Sequence, residues 1–248
     1  MKVTKKDLTI VYYTSNQLDT DNPYFLENTK KQLLKAIDDF PMVIVSHKPT
    51  MFGENTLNIN LGDIGRSHLN LYRQILIGAK AAKTKYVACA EDDILYSYQH
   101  FHAELPKSSY FLYDMCKWSM FTWIKPYQFT YRDRYVVNQL IAERDMLVEA
   151  LEERFERVET LKRRGKTESE IIKYWGDPGR YEKFLGVKER PVAHFFSTVP
   201  SIVFSHADAF GYLNHGKHKR LGNPRAFEIP VWGTADKIFS LYDKSIKS

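Results

Sequence analysis

Three short runs of nearly continuous apolar, β-favouring residues punctuate the first third of the chain. They are Leu8-Thr9-Ile10-Val11-Tyr12-Tyr13, Met42-Val43-Ile44-Val45-Ser46 and residues 85–90. Runs without polar alternation predict strands buried on both faces. Between them the period changes. Over 24–39, Phe25, Leu33, Leu34 and Ile37 fall at helical spacing. Beyond a loop holding Pro49, Gly53 and Gly62, Ser67 stands where a helix N-cap belongs, ahead of Leu71, Ile75 and Ala79. Strand and helix in alternation predict a parallel sheet with helices packed on it. Such sheets bind ligands beyond the carboxyl ends of their strands.

The pattern changes after about residue 105. Residues 109–142 are rich in aromatic and β-branched side chains and predict mixed, largely antiparallel strands. Asp145 is expected to open a long amphipathic helix, with Met146, Leu147, Ala150, Leu151, Phe155, Val158 and Leu161 on one stripe and Gly165 as its C-terminal stop. Residues 165–193 combine Gly176-Asp177-Pro178-Gly179 with many charges and read as a mobile connection. One more strand is expected over 198–204 and a short helix near 235–242. No internal repeat is present. The expectation is one α/β domain over 1–248, with a Rossmann-like nucleotide-binding half (1–105), a mixed central sheet and an acceptor-side half (106–248).

Composition narrows the class. A chain of 248 residues can bury a sizeable core, and its net charge of +6 favours phosphate-bearing ligands or polyanions. Two cysteines make no disulfide framework, the first residues are polar, and no apolar stretch approaches the ~20 residues of a membrane span. A cytoplasmic protein is expected, in a host cytoplasm if viral, with neither a membrane nor an obligate protein partner.

One feature of the third run demands chemistry. It ends abruptly on Glu91-Asp92-Asp93. Adjacent carboxylates repel, the more so when partly buried. A divalent cation would compensate them, and hard oxygen ligands suit Mg²⁺ or Mn²⁺. One or two carboxylates with the phosphates of a nucleotide is the usual way such an ion is held. The bland alternative is an acidic cap on a short helix starting at Ile94.

The stretch AEDDILYSYQHF, preceded by LYRQILIGAKAAKTKYVAC, resembles the metal-binding region of nucleotide-sugar glycosyltransferases of the GT-A fold, in which a DXD-type motif ends a strand. Leu95-Tyr96 and His100-Phe101 resemble the viral and bacterial subset that includes enzymes glycosylating modified DNA bases. The resemblance is specific over 66–101 and looser over 138–147. It implies a donor nucleotide-sugar, UDP-sugar first, with Mn²⁺ or Mg²⁺ as cofactor. It makes Asp93 the principal metal ligand and Asp92 a contact to metal or donor ribose; Glu91 replaces the first Asp of a strict DXD. Tyr13, Thr14 and Ser15 would receive the nucleoside, and Arg66 and Ser67 the phosphates. It also implies a late metal-binding histidine, for which PSIVFSHADAF offers His206, ahead of His194, His215 and His218. For an inverting reaction it implies a base at a helix start, Asp145 first and Glu143 second.

The acceptor is read from charge and rings. Residues 117–135 interleave aromatics with Lys and Arg, and residues 214–225 are basic. Trp118, Lys217, Lys219 and Arg220 are therefore candidate contacts to nucleic acid. Together with the resemblance to enzymes that glycosylate modified DNA bases, this implies a 5-hydroxymethylpyrimidine in DNA, such as 5-hydroxymethylcytosine in a bacteriophage genome, as the leading acceptor. A glycan or small hydroxyl compound is the alternative. A non-enzymatic nucleic-acid-binding protein would explain the charge but not the acidic triplet. A nucleotidyltransferase would want an early Gly-rich phosphate loop, and residues 14–23 contain no glycine.

Overall fold

The computed structural model describes residues 3–53, 55–105, 109–206 and 221–246. The first half runs β1 (Leu8–Thr14), α1 (Leu18–Asp21), α2 (Pro23–Ile37), β2 (Met42–Ser46), β3 (Thr56–Asn60), α3 (His68–Ala81), β4 (Tyr86–Ala90), β5 (Ile94–Leu95) and α4 (Tyr98–Phe101). The second runs β6 (Phe111–Asp114), β7 (Lys117–Phe121), β8 (Phe129–Tyr131), a 3-10 turn (Val137–Gln139), β9 (Leu140–Glu143), α5 (Arg144–Arg163), α6 (Glu168–Ile172), α7 (Glu182–Leu185), β10 (Val192–Phe195) and β11 (Ser201–Ser205). Small strands β12 (Arg225–Ala226), β13 (Glu228–Ile229) and β14 (Gly233–Thr234) and α8 (Ala235–Phe239) complete the described chain.

Seven strands form the central sheet in the order β10-β6-β9-β4-β1-β2-β3. β4, β1, β2 and β3 are mutually parallel, and β9 enters antiparallel to β4 and β6. The α/β class with a mixed central sheet is thus as expected. β1 is buried along its whole length because it is covered on both faces. Ile10 and Tyr12 pack with Leu33, Ala36 and Ile37 of α2 on one side. Val11 and Tyr13 pack with Tyr72, Ile75 and Ala79 of α3 and with α5 on the other. Burying one such aliphatic side chain contributes about 1.5–3 kcal/mol. Helix α3 lies so near the sheet that a Cβ on Gly78 would come 2.4 Å from Val11 Cγ1.

A second sheet, β12-β8-β7-β11-β5, packs beyond the carboxyl edge of β4. Its β5 begins directly after the acidic triplet and runs antiparallel to β11, pairing Val203 with Ile94.

Three features depart from the sequence-based expectation. β3 occupies part of the expected loop 47–66. It is an edge strand, half exposed, whose Thr-Leu-Asn-Ile-Asn carries little strand propensity. The long helix begins at Arg144 with Glu143 at its N-cap, so Asp145 is not the cap. Gly165, with φ +83°, does end it: Gly165 N donates to Lys162 O at 2.9 Å and Lys166 N to Leu161 O at 3.1 Å, a Schellman closure.

The segment 165–193, expected to be a mobile connection, is anchored. Arg154 is buried in α5 and donates to Trp175 O (2.6 Å), Gly176 O (3.0 Å) and Glu182 Oε1 (2.6 Å). Trp175 is buried against Tyr72 and Phe155. One guanidinium therefore supplies the partners that turn-rich backbone needs, a role that sequence spacing does not reveal.

Candidate active site

The topology brings Glu91, Asp92 and Asp93 to the carboxyl edge of β4, beside the end of β1. Each carboxylate has a different setting. Glu91 is a brace: it accepts from Tyr13 Oη at 2.8 Å and Asn138 Nδ2 at 2.7 Å, while its own N–H donates to Tyr96 Oη at 3.0 Å. Burial outweighs those two bonds and pushes its carboxyl up to about 7. Asp92 accepts from Thr14 Oγ1 at 2.5 Å and so leans toward the end of β1. Burial raises its pKa too, against the bond from Thr14, and Arg66 offsets part of the rise.

Asp93 is aimed at the second sheet. Phe204 N donates to Asp93 O at 3.0 Å, which continues the β5–β11 register by one residue. His206 follows two residues later, with Nε2 3.7 Å from Asp93 Oδ2. A carboxylate oxygen is a ligand for hard divalent ions and an imidazole for softer ones, so the two side chains could share one cation. Among the described residues no set of three or more His, Cys, Asp or Glu side chains gathers into a closed metal cage.

These groups line one open cleft. Its wall includes Tyr13, Thr14, Ser15, Arg66, Ser67, Glu91, Asp92, Asp93 and His206, the expected donor and metal residues. Ser67 caps α3 by accepting from Asn70 N at 3.1 Å, which leaves the first turn of that helix at the cleft.

Two side chains outside the expected donor and metal residues hold this edge together. Gln74, buried in α3, donates to Thr14 O (2.9 Å) and Val45 O (3.0 Å), tying the ends of β1 and β2. Asn16 has a left-handed φ of +59° and bonds Thr50 Oγ1 (2.8 Å), Asp19 (3.0 Å) and Lys48 N (2.9 Å). A buried Gln on a helix facing two parallel strand ends is the one sequence signal that could have found the first. Asn138 is a third: it belongs to the turn before β9.

The expected base residues lie elsewhere. The β4–β9 register sets Glu143 opposite Tyr86, at the start of β4, whereas the acidic triplet follows its end. Five residues of strand separate them by roughly 16 Å. Asp145 is exposed and paired with Arg144 at 2.7 Å on that same far edge. The antiparallel entry of β9 is the physical reason: it brings Asn138 to Glu91 and carries Glu143 and Asp145 away. Trp118 lies in β7, half-buried with its ring 5.8 Å from that of Tyr131, and does not line the cleft. Lys217, Lys219 and Arg220 lie outside the described residues.

No family model matches the chain, and no curated protein matches it. Solved structures of similar chain course include an active-site mutant of LgtC (11% identity, TM-score 0.43, 79% of this chain and 86% of that one). The glycosyltransferase GlyE of Streptococcus pneumoniae is similar at 9% identity and TM-score 0.43, over 77% of this chain. This chain spans 45% of GlyE. The 2-C-methyl-D-erythritol 4-phosphate cytidylyltransferase of Thermus thermophilus is similar at 13% identity and TM-score 0.42, over 79% of this chain and 89% of that one. These values describe a distant likeness of backbone and carry no argument about the reaction. Among the described residues no helix is long and apolar enough to cross a membrane.

Proposed function

We propose that the protein is a metal-dependent glycosyltransferase of the GT-A type. It would move a sugar from a nucleotide-sugar, UDP-sugar first, to a hydroxyl acceptor, with a 5-hydroxymethylpyrimidine in DNA as the leading candidate. The observation that carries this is the pairing of Asp93 with His206, brought together by the β5–β11 register in the wall of the cleft. A solvated acidic turn would need no imidazole beside it.

In this scheme Tyr13, Thr14 and Ser15 receive the nucleoside, with Asp92 held by Thr14 at the ribose. Arg66 and the first turn of α3 meet the diphosphate. Asp93 and His206 would hold Mn²⁺ or Mg²⁺, which supplies Lewis-acid stabilisation of the departing diphosphate. Glu91 is assigned to bracing, since both its oxygens are engaged. Burial gives it a preference for the protonated form that a nearby cation would reverse. Neither Asp145 nor Glu143 is retained as base. The acceptor reading rests on net charge and on rings near cationic side chains.

The test is release of nucleoside diphosphate from a panel of nucleotide-sugars with Mn²⁺, with and without hydroxymethylated DNA. Turnover that needs metal and rises with the modified DNA supports the whole reading. Turnover indifferent to DNA moves the acceptor to glycans or small molecules. No turnover and no thermal shift with any donor rejects the enzyme.

A further inference from the structure

The sequence of residues 173–184, Lys-Tyr-Trp-Gly-Asp-Pro-Gly-Arg-Tyr-Glu-Lys-Phe, mixes three bases with two acids and looks electrically bland. The fold sorts them. Glu182 is buried on Arg154. Asp177 is turned inward, accepting from Tyr72 Oη at 3.0 Å and Val137 N at 2.9 Å. Lys173, Arg180 and Lys183 are left exposed. The rings are sorted too. Trp175 is in the core, while Tyr174 is 50% and Phe184 69% exposed. The rings of Tyr174 and Phe184 lie 6.2 Å apart and 22° from parallel. Arg180 Cζ sits 5.0 Å over the ring of Tyr181, whose ring lies 6.2 Å from that of Phe184. Arg180 Nη1 stays 4.0 Å from Asp177, at the limit of an ion pair. Arg134, also exposed, lies within electrostatic reach of both Asp177 and Arg180.

The inner side of the segment is tied to the acidic edge: Asp177 accepts from Val137 N, and the next residue, Asn138, donates to Glu91.

We propose that the outward face of residues 173–184, with Arg134 beside it, docks a single strand of nucleic acid. Exposed rings stack on unpaired bases, and the cations meet phosphates. The inference rests on the nucleic-acid acceptor reading and gives it a surface. Charge complementarity selects the occupant. Every exposed large apolar side chain on the segment is aromatic and every exposed charge on it is positive, whereas protein interfaces are depleted in Lys at their centres. The backbone that carries the rings is held by the buried Arg154–Glu182 anchor, so the segment itself is already ordered.

The test uses the full chain and a fluorescein-labelled 12-nucleotide single-stranded DNA, read by anisotropy across a salt series. Binding is expected to weaken linearly with log salt. Phe184→Ala and Tyr174→Ala should each weaken it about 10-fold. Arg180→Gln should lower the log–log salt slope by about 0.7. Leu34→Ala, on the distant helix α2 and 40% exposed, should change nothing. Ring variants that bind like the unaltered protein overturn the platform, as does absence of binding at low salt. Displacement by polyglutamate with no effect of the ring variants also overturns it, in favour of an acidic protein partner. Stimulation of sugar transfer by modified DNA is measured separately, so the platform can fail while the acceptor reading stands.

Discussion

Glu91 should make the metal-free protein lose stability as pH rises toward neutrality. Its carboxyl sits at an ordinary pKa near 4.5 when unfolded and at about 7 when folded, because burial penalises the charged form. The folded state therefore holds the proton more tightly. The stability this group contributes is fully present below pH 4.5 and is lost as pH climbs through 7. A difference of that size corresponds to about 3 kcal/mol. Glu91→Gln removes the titration while keeping an oxygen for Tyr13. Urea unfolding in EDTA at pH 4.5 and 7.5 reads the effect as a double difference between the two proteins. The unaltered protein should lose about 3 kcal/mol more than the variant over that interval. In melting temperature this is roughly 6–12 °C for a chain of this size. Repeating the series in Mn²⁺ should flatten the unaltered protein's curve, since a cation beside Asp93 favours ionised Glu91. Parallel pH profiles for the two proteins in EDTA would refute the reasoning.

Further tests follow from packing and from the site. Gly78→Ala pushes a methyl within 2.4 Å of Val11 Cγ1 and should cost about 1–3 kcal/mol in chemical denaturation, with Val11→Ala recovering part of it. Arg154→Leu leaves Glu182 buried without its partner and should cost about 3–5 kcal/mol, seen with a change in Trp175 fluorescence. Asp145→Asn and Glu143→Gln should leave donor turnover within about two-fold of normal, since both residues lie on the far edge of the sheet. A large loss in either would restore the base assigned from sequence.

Much of the first half was legible because burial on both faces writes itself as uninterrupted apolar runs, as in Leu8 to Tyr13 and Met42 to Ser46. The capping of α3 by Ser67 was equally plain. The edge strand β3 was not, since half-exposed Thr-Leu-Asn-Ile-Asn resembles a loop. The pairing of β9 was the costliest omission. Antiparallel strands were expected over 109–142, but nothing in Leu140 to Glu143 says that β9 joins β4 in the register that sets Glu143 opposite Tyr86 and places Asn138, rather than Glu143 or Asp145, beside Glu91. The adjacency of His206 and Asp93 came from resemblance, and its physical cause is the β5–β11 pairing between segments about a hundred residues apart. The inner and outer sorting of charges over 173–184 needed the buried Arg154, which in sequence is one more basic residue on a charged helix.

The most direct test of the central claim is metal-dependent release of nucleoside diphosphate from UDP-sugars by the unaltered protein and by Asp93→Asn. The account predicts turnover that requires Mn²⁺ or Mg²⁺ and falls at least about 100-fold in Asp93→Asn, with an unchanged melting temperature in EDTA. Turnover that survives either the substitution or the removal of metal would contradict it.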